Sequence, residues 1–145
     1  QTLCEKSMQI NIAVKIDRIV NNPEYEGDFG GPCEDEKLIF DKVIEIIEFF
    51  PKEYREFIKK YGSGELAASF FVEMGPIPIR EIYGRDDGPL NGMYIFATDQ
   101  SEYVYAFDSK NNFQVVDIDA SGEVFKNYGT FSDFIEEILD KIIRY

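Results

Sequence analysis

A chain of 145 residues with 44% apolar and 15% aromatic residues carries enough hydrophobic surface to fold, which excludes a disordered chain. Its 28 acidic residues against 15 basic ones leave a formal charge of −13, which opposes binding to nucleic-acid phosphates and to anionic membranes. The partners such a surface attracts are cations and basic proteins.

The length is that of one domain, residues 1–145. Two cysteines, Cys4 and Cys33, are too few for a disulfide scaffold and lack metal-type spacing, so both are expected to be reduced packing residues. No apolar run approaches the ~18 residues of a membrane helix, and no charged-then-apolar leader opens the chain. The expected compartment is the cytoplasm, although the chain begins at Gln1, not Met, which leaves open whether residues ahead of it were removed.

Residues 8–16 support two patterns. Met8, Ile10, Ile12, Val14 and Ile16 alternate as in a strand, while Met8, Ile12, Ile16, Ile19 and Val20 form a helical stripe; the reading leans to a helix ending near Asn22–Pro23. The stretch from Asn22 to Glu36 is punctuated by Pro23, Gly27, Gly30, Gly31 and Pro32 and reads as a loop. Next comes an amphipathic helix with Ile39, Val43, Ile46, Ile47 and Phe50 on one face and Asp41, Lys42, Glu45 and Glu48 on the other. Pro51 suits the first position of a second helix bearing Tyr54, Phe57, Ile58 and Tyr61, closed by Gly62 with Lys59 and Lys60 in its last turn.

After Gly64 the pattern turns to strands: 69–74, 77–83, 93–98, 102–107, 113–118 and 123–128. The turns at Asp99-Gln100-Ser101, Ser109–Asn112 and Asp119–Gly122 are too short for parallel crossovers, so the sheet is an antiparallel meander of five or six strands. Thr130 and Asp133 form a capping-box-like start for a last helix with Phe131, Phe134, Ile135, Ile138, Leu139 and Ile142 on one stripe. Together these predict an α+β fold, a single sheet layer packed with N-terminal helices and one C-terminal helix. Phe57, Ile58, Phe131, Phe134, Ile138, Val104 and Val115 are the expected core.

Little here points to catalysis. The absence of histidine removes Ser-His and Cys-His nucleophile pairs and His-based zinc sites, and no phosphate-binding loop or dinucleotide fingerprint occurs, so no cofactor or metal is expected. Glu73 and Glu81 interrupt apolar strands and are the least arbitrary pair for acid–base hydrolysis, but solvent-facing positions on a half-exposed sheet explain them better. Asp117, Asp119 and Glu123 around Gly122 lack the spacing of a calcium loop and read as a turn. The leading partner-binding candidate is the acidic stretch: Glu24, Glu26, Asp28, Glu34, Asp35 and Glu36 with no base among them, and Tyr25 and Phe29 as aromatic anchors. A solvated connector, with the two rings tucked into the protein's own core, is the competing account.

Three stretches in order resemble the SUKH superfamily. They are Phe29-Gly30-Gly31-Pro32 followed by the run from Phe50-Pro51 through Tyr54 and Phe57 to Gly62-Ser63-Gly64, then Tyr94–Asp108, then Thr130-Phe131-Ser132-Asp133-Phe134-Ile135. The resemblance covers about residues 28–142. Two departures are a short helix before Pro51 and Ser101-Glu102 where many members carry a glycine-rich turn. The resemblance implies a non-enzymatic protein-binding domain, either an immunity protein neutralising a toxin encoded beside it or a regulator of cell-wall glucan synthesis. Charge adds that the partner of an immunity protein would be a basic toxin domain. A carboxylate-dependent hydrolase is the third, least supported reading.

Overall fold

The computed structural model describes residues 3–101 and 103–144. Helix α1 (Leu3–Val20) leads into the long loop, then the single-turn α2 (Glu36–Ile39), a 3-10 stretch (Asp41–Phe49) and α3 (Lys52–Tyr61). Strands β1 (Gly64–Ala67) and β2 (Phe70–Pro78) follow, then the short α4 (Ile79–Tyr83) and a 3-10 turn (Gly88–Leu90). Strands β3 (Met93–Thr98), β4 (Val104–Asp108), β5 (Gln114–Ile118) and β6 (Val124–Gly129) precede α5 (Phe131–Arg144). The six strands pair in sequence order, every pair antiparallel, so the fold is an α+β meander with helices from both ends of the chain.

Side-chain exposure decides the ambiguity in α1. A strand would bury Val14 with Ile12 and Ile16, yet Val14 is 57% exposed while Ile16 and Ile19 are buried, as a helical stripe requires. The side chains of Cys4, Met8 and Ile10 lie outside what the structure describes, as does Glu102, where the fourth strand was expected to begin. Lys15 ties α1 to Asp140 of α5 at 2.7 Å.

One face of the sheet carries the larger core. Tyr54, Phe57 and Ile58 of α3 and Phe131, Phe134 and Ile138 of α5 bury there against Phe70, Phe96, Tyr105 and Phe107. Tyr54 alone meets Phe40, Phe50, Phe96, Phe107 and Phe131, with ring centroids 4.8–6.4 Å apart in tilted or edge-to-face contact. The opposite face is covered as well: Met93, Ile95, Val104, Ala106, Val116 and Ile118 pack under Ile79 and Leu90 of the connector between β2 and β3. Burial on two faces explains why β3 and β4 read as near-continuous apolar runs instead of alternating ones.

Aspartates close the hairpins. Asp99 Oδ1 accepts the amides of Ser101 and Tyr103, and Asp119 Oδ1 accepts those of Ser121 and Glu123, all at 2.9–3.0 Å. Asp108 does the same for Lys110 in the turn before β5. The capping box at α5 is reciprocal, with Asp133 N–H donating to Thr130 Oγ1 at 3.2 Å and Thr130 N–H to Asp133 Oδ2 at 3.4 Å.

Three local expectations are corrected. Residues 77–83 are not a strand of their own: β2 runs through to Pro78, and 79–83 forms α4, since Ile79 and Tyr83, spaced four apart, also fit one helical turn. Tyr83 Oη holds that turn to the main-chain oxygen of Asp119 at 2.8 Å. The additional strand is β1, which sequence patterning left unassigned. The amphipathic helix over 39–50 is broken, with non-helical backbone at Val43 and Ile46, both β-branched; the expected buried and exposed faces nevertheless hold. Pro51 stands one residue before α3, as its cap.

Truncating Phe134, which is fully buried, should cost about 3–5 kcal/mol, whereas Phe49→Ala, at 60% exposure, should stay within about ±0.5 kcal/mol. Equilibrium denaturation of the two variants checks this; equal losses would mean the core is drawn wrongly.

Candidate functional site

The acidic loop is a strap across the free edge of β1. Tyr25 Oη donates to the main-chain oxygen of Glu65 at 2.7 Å and accepts the amide of Phe29 at 2.9 Å. Asp28 Oδ1 accepts the amide of Glu65 at 2.7 Å, and Gly30 and Ser63 exchange two backbone bonds of 2.8 Å. An uncovered edge strand is a template for unwanted pairing, and this loop occupies it. Further along, the amide of Cys33 donates to the main-chain oxygen of Lys59 in α3 at 3.2 Å, and Cys33 itself packs partly buried against the core.

The eight candidate residues therefore divide. Tyr25 is half-buried at the β1 edge, and the ring of Phe29 lies 6.2 Å from that of Phe57, packed against the core. Glu36 is also turned inward, bonded by Arg55 through Nε at 3.2 Å and Nη2 at 3.0 Å and by Lys59 at 3.0 Å. Those two cations hold its carboxyl below the usual range. Glu24, Glu26, Asp28, Glu34 and Asp35 lie on the exposed side, Asp35 also capping α2 through the amide of Lys37. Apart from Glu36, the charge faces outward, and the rings face inward.

A second polar group lies where β2 leaves the ladder. Val72 pairs with Ala97 and Ile77 with Ile95, so residues 73–76 bulge opposite Phe96. Gly75 makes the bulge possible: the backbone oxygen of Ile39 occupies the space that a Cβ would fill. Glu73 on this bulge is half-buried, and desolvation pushes its carboxyl up, with nearby Lys42 partly opposing. Burial foremost, then the Glu73 charge, raises the phenol of Tyr54, whose Oη has no hydrogen-bond partner among the described residues. Glu81 lies on α4 and is exposed, its carboxylate bonded by Lys42 Nζ at 2.8 Å. Sequence reasoning singled out Glu73 for interrupting an apolar run; the bulge that half-buries it depends on contact with Ile39, which no local pattern contains.

Asp117 is committed within the sheet, accepting Tyr128 Oη at 3.0 Å and the amide of Lys126 at 2.8 Å. No group of three potential metal ligands is assembled among the described residues. No helix among them is long and apolar enough to cross a membrane.

Two substitutions test this geometry through stability. Tyr25→Phe removes both bonds of the phenol and should cost about 1–3 kcal/mol; a loss near zero in denaturation would show that the strap is not anchored there. Glu73 and Glu36 should respond to pH with opposite signs. Because the folded pKa of Glu73 is raised, the unfolded chain loses its proton first, and Glu73 subtracts stability as pH rises from the ordinary carboxylate value through the raised one. Glu36, held low, adds stability above the ordinary value and loses it as pH falls through the lowered one. Melting curves should show Glu73→Gln raising Tm at about pH 7 and Glu36→Gln lowering it, with both differences shrinking below about pH 4.

No curated protein matches this sequence closely enough to count as a relative. The model of the SMI1 / KNR4 family (SUKH-1) matches residues 41–137, which run from the 3-10 stretch before α3 through the whole sheet and into α5. With more than half of its length so matched, and with the order of helices and strands described above, the chain belongs to the SMI1 / KNR4 family (SUKH-1).

Proposed function

We propose that this chain is a non-enzymatic protein-binding domain of the cytoplasm, and within that class an immunity protein that neutralises a toxin through its acidic surface. Family membership supports the binding role. The observation that carries the choice of partner is the outward-facing charge of the strap, where Glu24, Glu26, Asp28, Glu34 and Asp35 are exposed on a chain of net charge −13. Such a surface favours a cationic domain and accelerates its encounter. The inward-turned Glu36 stabilises the strap and is not part of the contact surface.

Binding kinetics against a toxin domain encoded beside this chain test the reading. The on-rate should fall steeply with salt, because a Debye length of about 10 Å at 0.1 M screens exposed charges. Glu24→Gln, Glu26→Gln and Glu34→Gln together should slow association several-fold while leaving Tm unchanged, since surface substitutions stay within about ±0.5 kcal/mol. An on-rate indifferent to salt and to these substitutions would remove the strap from the interface. Stable association with a non-toxin partner would instead favour a regulatory domain of the same fold.

A further inference from the structure

Resting on that protein-binding reading, we propose that Leu38 and Met74 are the apolar anchor of the docking surface, and that they receive an apolar side chain of a cationic protein segment. Tyr25 and Phe29 are turned toward the protein's own backbone and core, so the anchor of an interface at the strap must come from elsewhere. Among the described residues, Met74 at 74% and Leu38 at 61% are the most exposed large apolar side chains.

The fold brings their backbones close together. Ile39, the neighbour of Leu38, lays its backbone oxygen against Gly75, the neighbour of Met74. Consecutive Cα atoms are about 3.8 Å apart, so each apolar residue lies one step from a direct backbone contact. The β2 bulge lifts Met74 out of the ladder, and the strap runs straight into α2, which carries Leu38. The ridge is therefore continuous with the acidic loop.

The rim specifies the partner's charge. Glu34, Asp35 and Asp41, all within four positions of Leu38, are exposed and make no ion pair among the described residues, and Glu73 adjoins Met74. Lys37 is the offsetting base, while Lys42 is engaged by Glu81. An apolar centre whose rim carries more acid than base matches a basic segment presenting an apolar residue. A second copy of this chain fits poorly, since each copy carries −13 and the contact would set acid against acid. Methionine at the centre adapts to differently shaped partners through its unbranched, polarizable side chain.

The probe is an amphipathic peptide built only of lysine and leucine, with a lysine–serine peptide of equal charge as control. Amide shifts in NMR titrations should move in residues 34–42 and 72–77 with the lysine–leucine peptide. Its Kd should weaken about tenfold in the Leu38→Ser/Met74→Ser double variant. Binding of the lysine–serine peptide should be weaker and unaffected by that variant. Shifts confined to other surfaces, an unchanged Kd in the double variant, or no binding by the unsubstituted protein would each overturn the anchor. A toxin domain that binds the double variant as tightly as the unsubstituted protein would also overturn it and leave the protein-binding reading in place. Failure of that reading appears separately, as no binding of the toxin domain by the unsubstituted protein.

Discussion

Tyr54 is the point through which the helical half of this protein is fixed to the sheet. Its ring contacts one aromatic from the segment before α3, one from the residue preceding Pro51, one each from β3 and β4, and one from α5. The contacts are tilted or edge-to-face, in which the positive rim of one ring meets the negative face of another. These elements are scattered from Phe40 to Phe131, so the ring network also determines which helix faces which strand. Phe50 extends the network by touching Tyr94, Phe107 and Phe113 at centroid distances of 5.0–5.7 Å. Placing Pro51 directly after Phe50 fixes the angle at which α3 departs from that contact.

Once α3 is seated, the surface features follow. Its Arg55 and Lys59 bind Glu36, which brings the end of the acidic loop onto the helix. Its last residues deliver Ser63 and β1 to the strap, whose Tyr25 and Asp28 satisfy both main-chain groups of Glu65. The segment ahead of it lies on the β2 bulge through Ile39 and Gly75. The ridge carrying Leu38 and Met74 is thus a by-product of packing that the core requires, and its exposure needs no special backbone strain.

Much of this was legible in the sequence because the decisive signals were local. The turns at Asp99 and Asp119 close through bonds to amides two and four residues away, and Thr130 and Asp133 cap each other across three. A reader of turn and cap chemistry needs no tertiary information to find them, and so the β3–β6 meander and α5 emerge at nearly their observed bounds. Other misplacements depend on partners far along the chain. Tyr25 looks like a free anchor until Glu65, forty residues on, accepts its hydroxyl. The Gly75-Pro76 pair reads as a strand break until Ile39 is found lying against Gly75, which makes it a bulge within one strand. For the candidate site, composition identified the acid, but only packing could separate Glu36, which stabilises the fold, from Glu34, which faces solvent.

That separation bears on how the proposed binding surface can change. Asp99, Asp108, Asp117 and Asp119 are engaged by backbone amides of their own hairpins, so altering them would disturb the sheet itself. Glu24, Glu26 and Glu34 have no such duty, since their carboxylates face solvent on a strap held by other groups, Tyr25, Asp28 and the Gly30–Ser63 bridge. Substitution at these glutamates would redistribute surface potential at almost no cost in stability. Leu38 and Met74 have the same freedom, being largely exposed on a ridge whose backbone is fixed by Ile39 and Gly75. A rigid backbone bearing side chains that the fold does not need can change partners by exchanging side chains alone, because discrimination depends on differences in contact and charge while the frame stays constant.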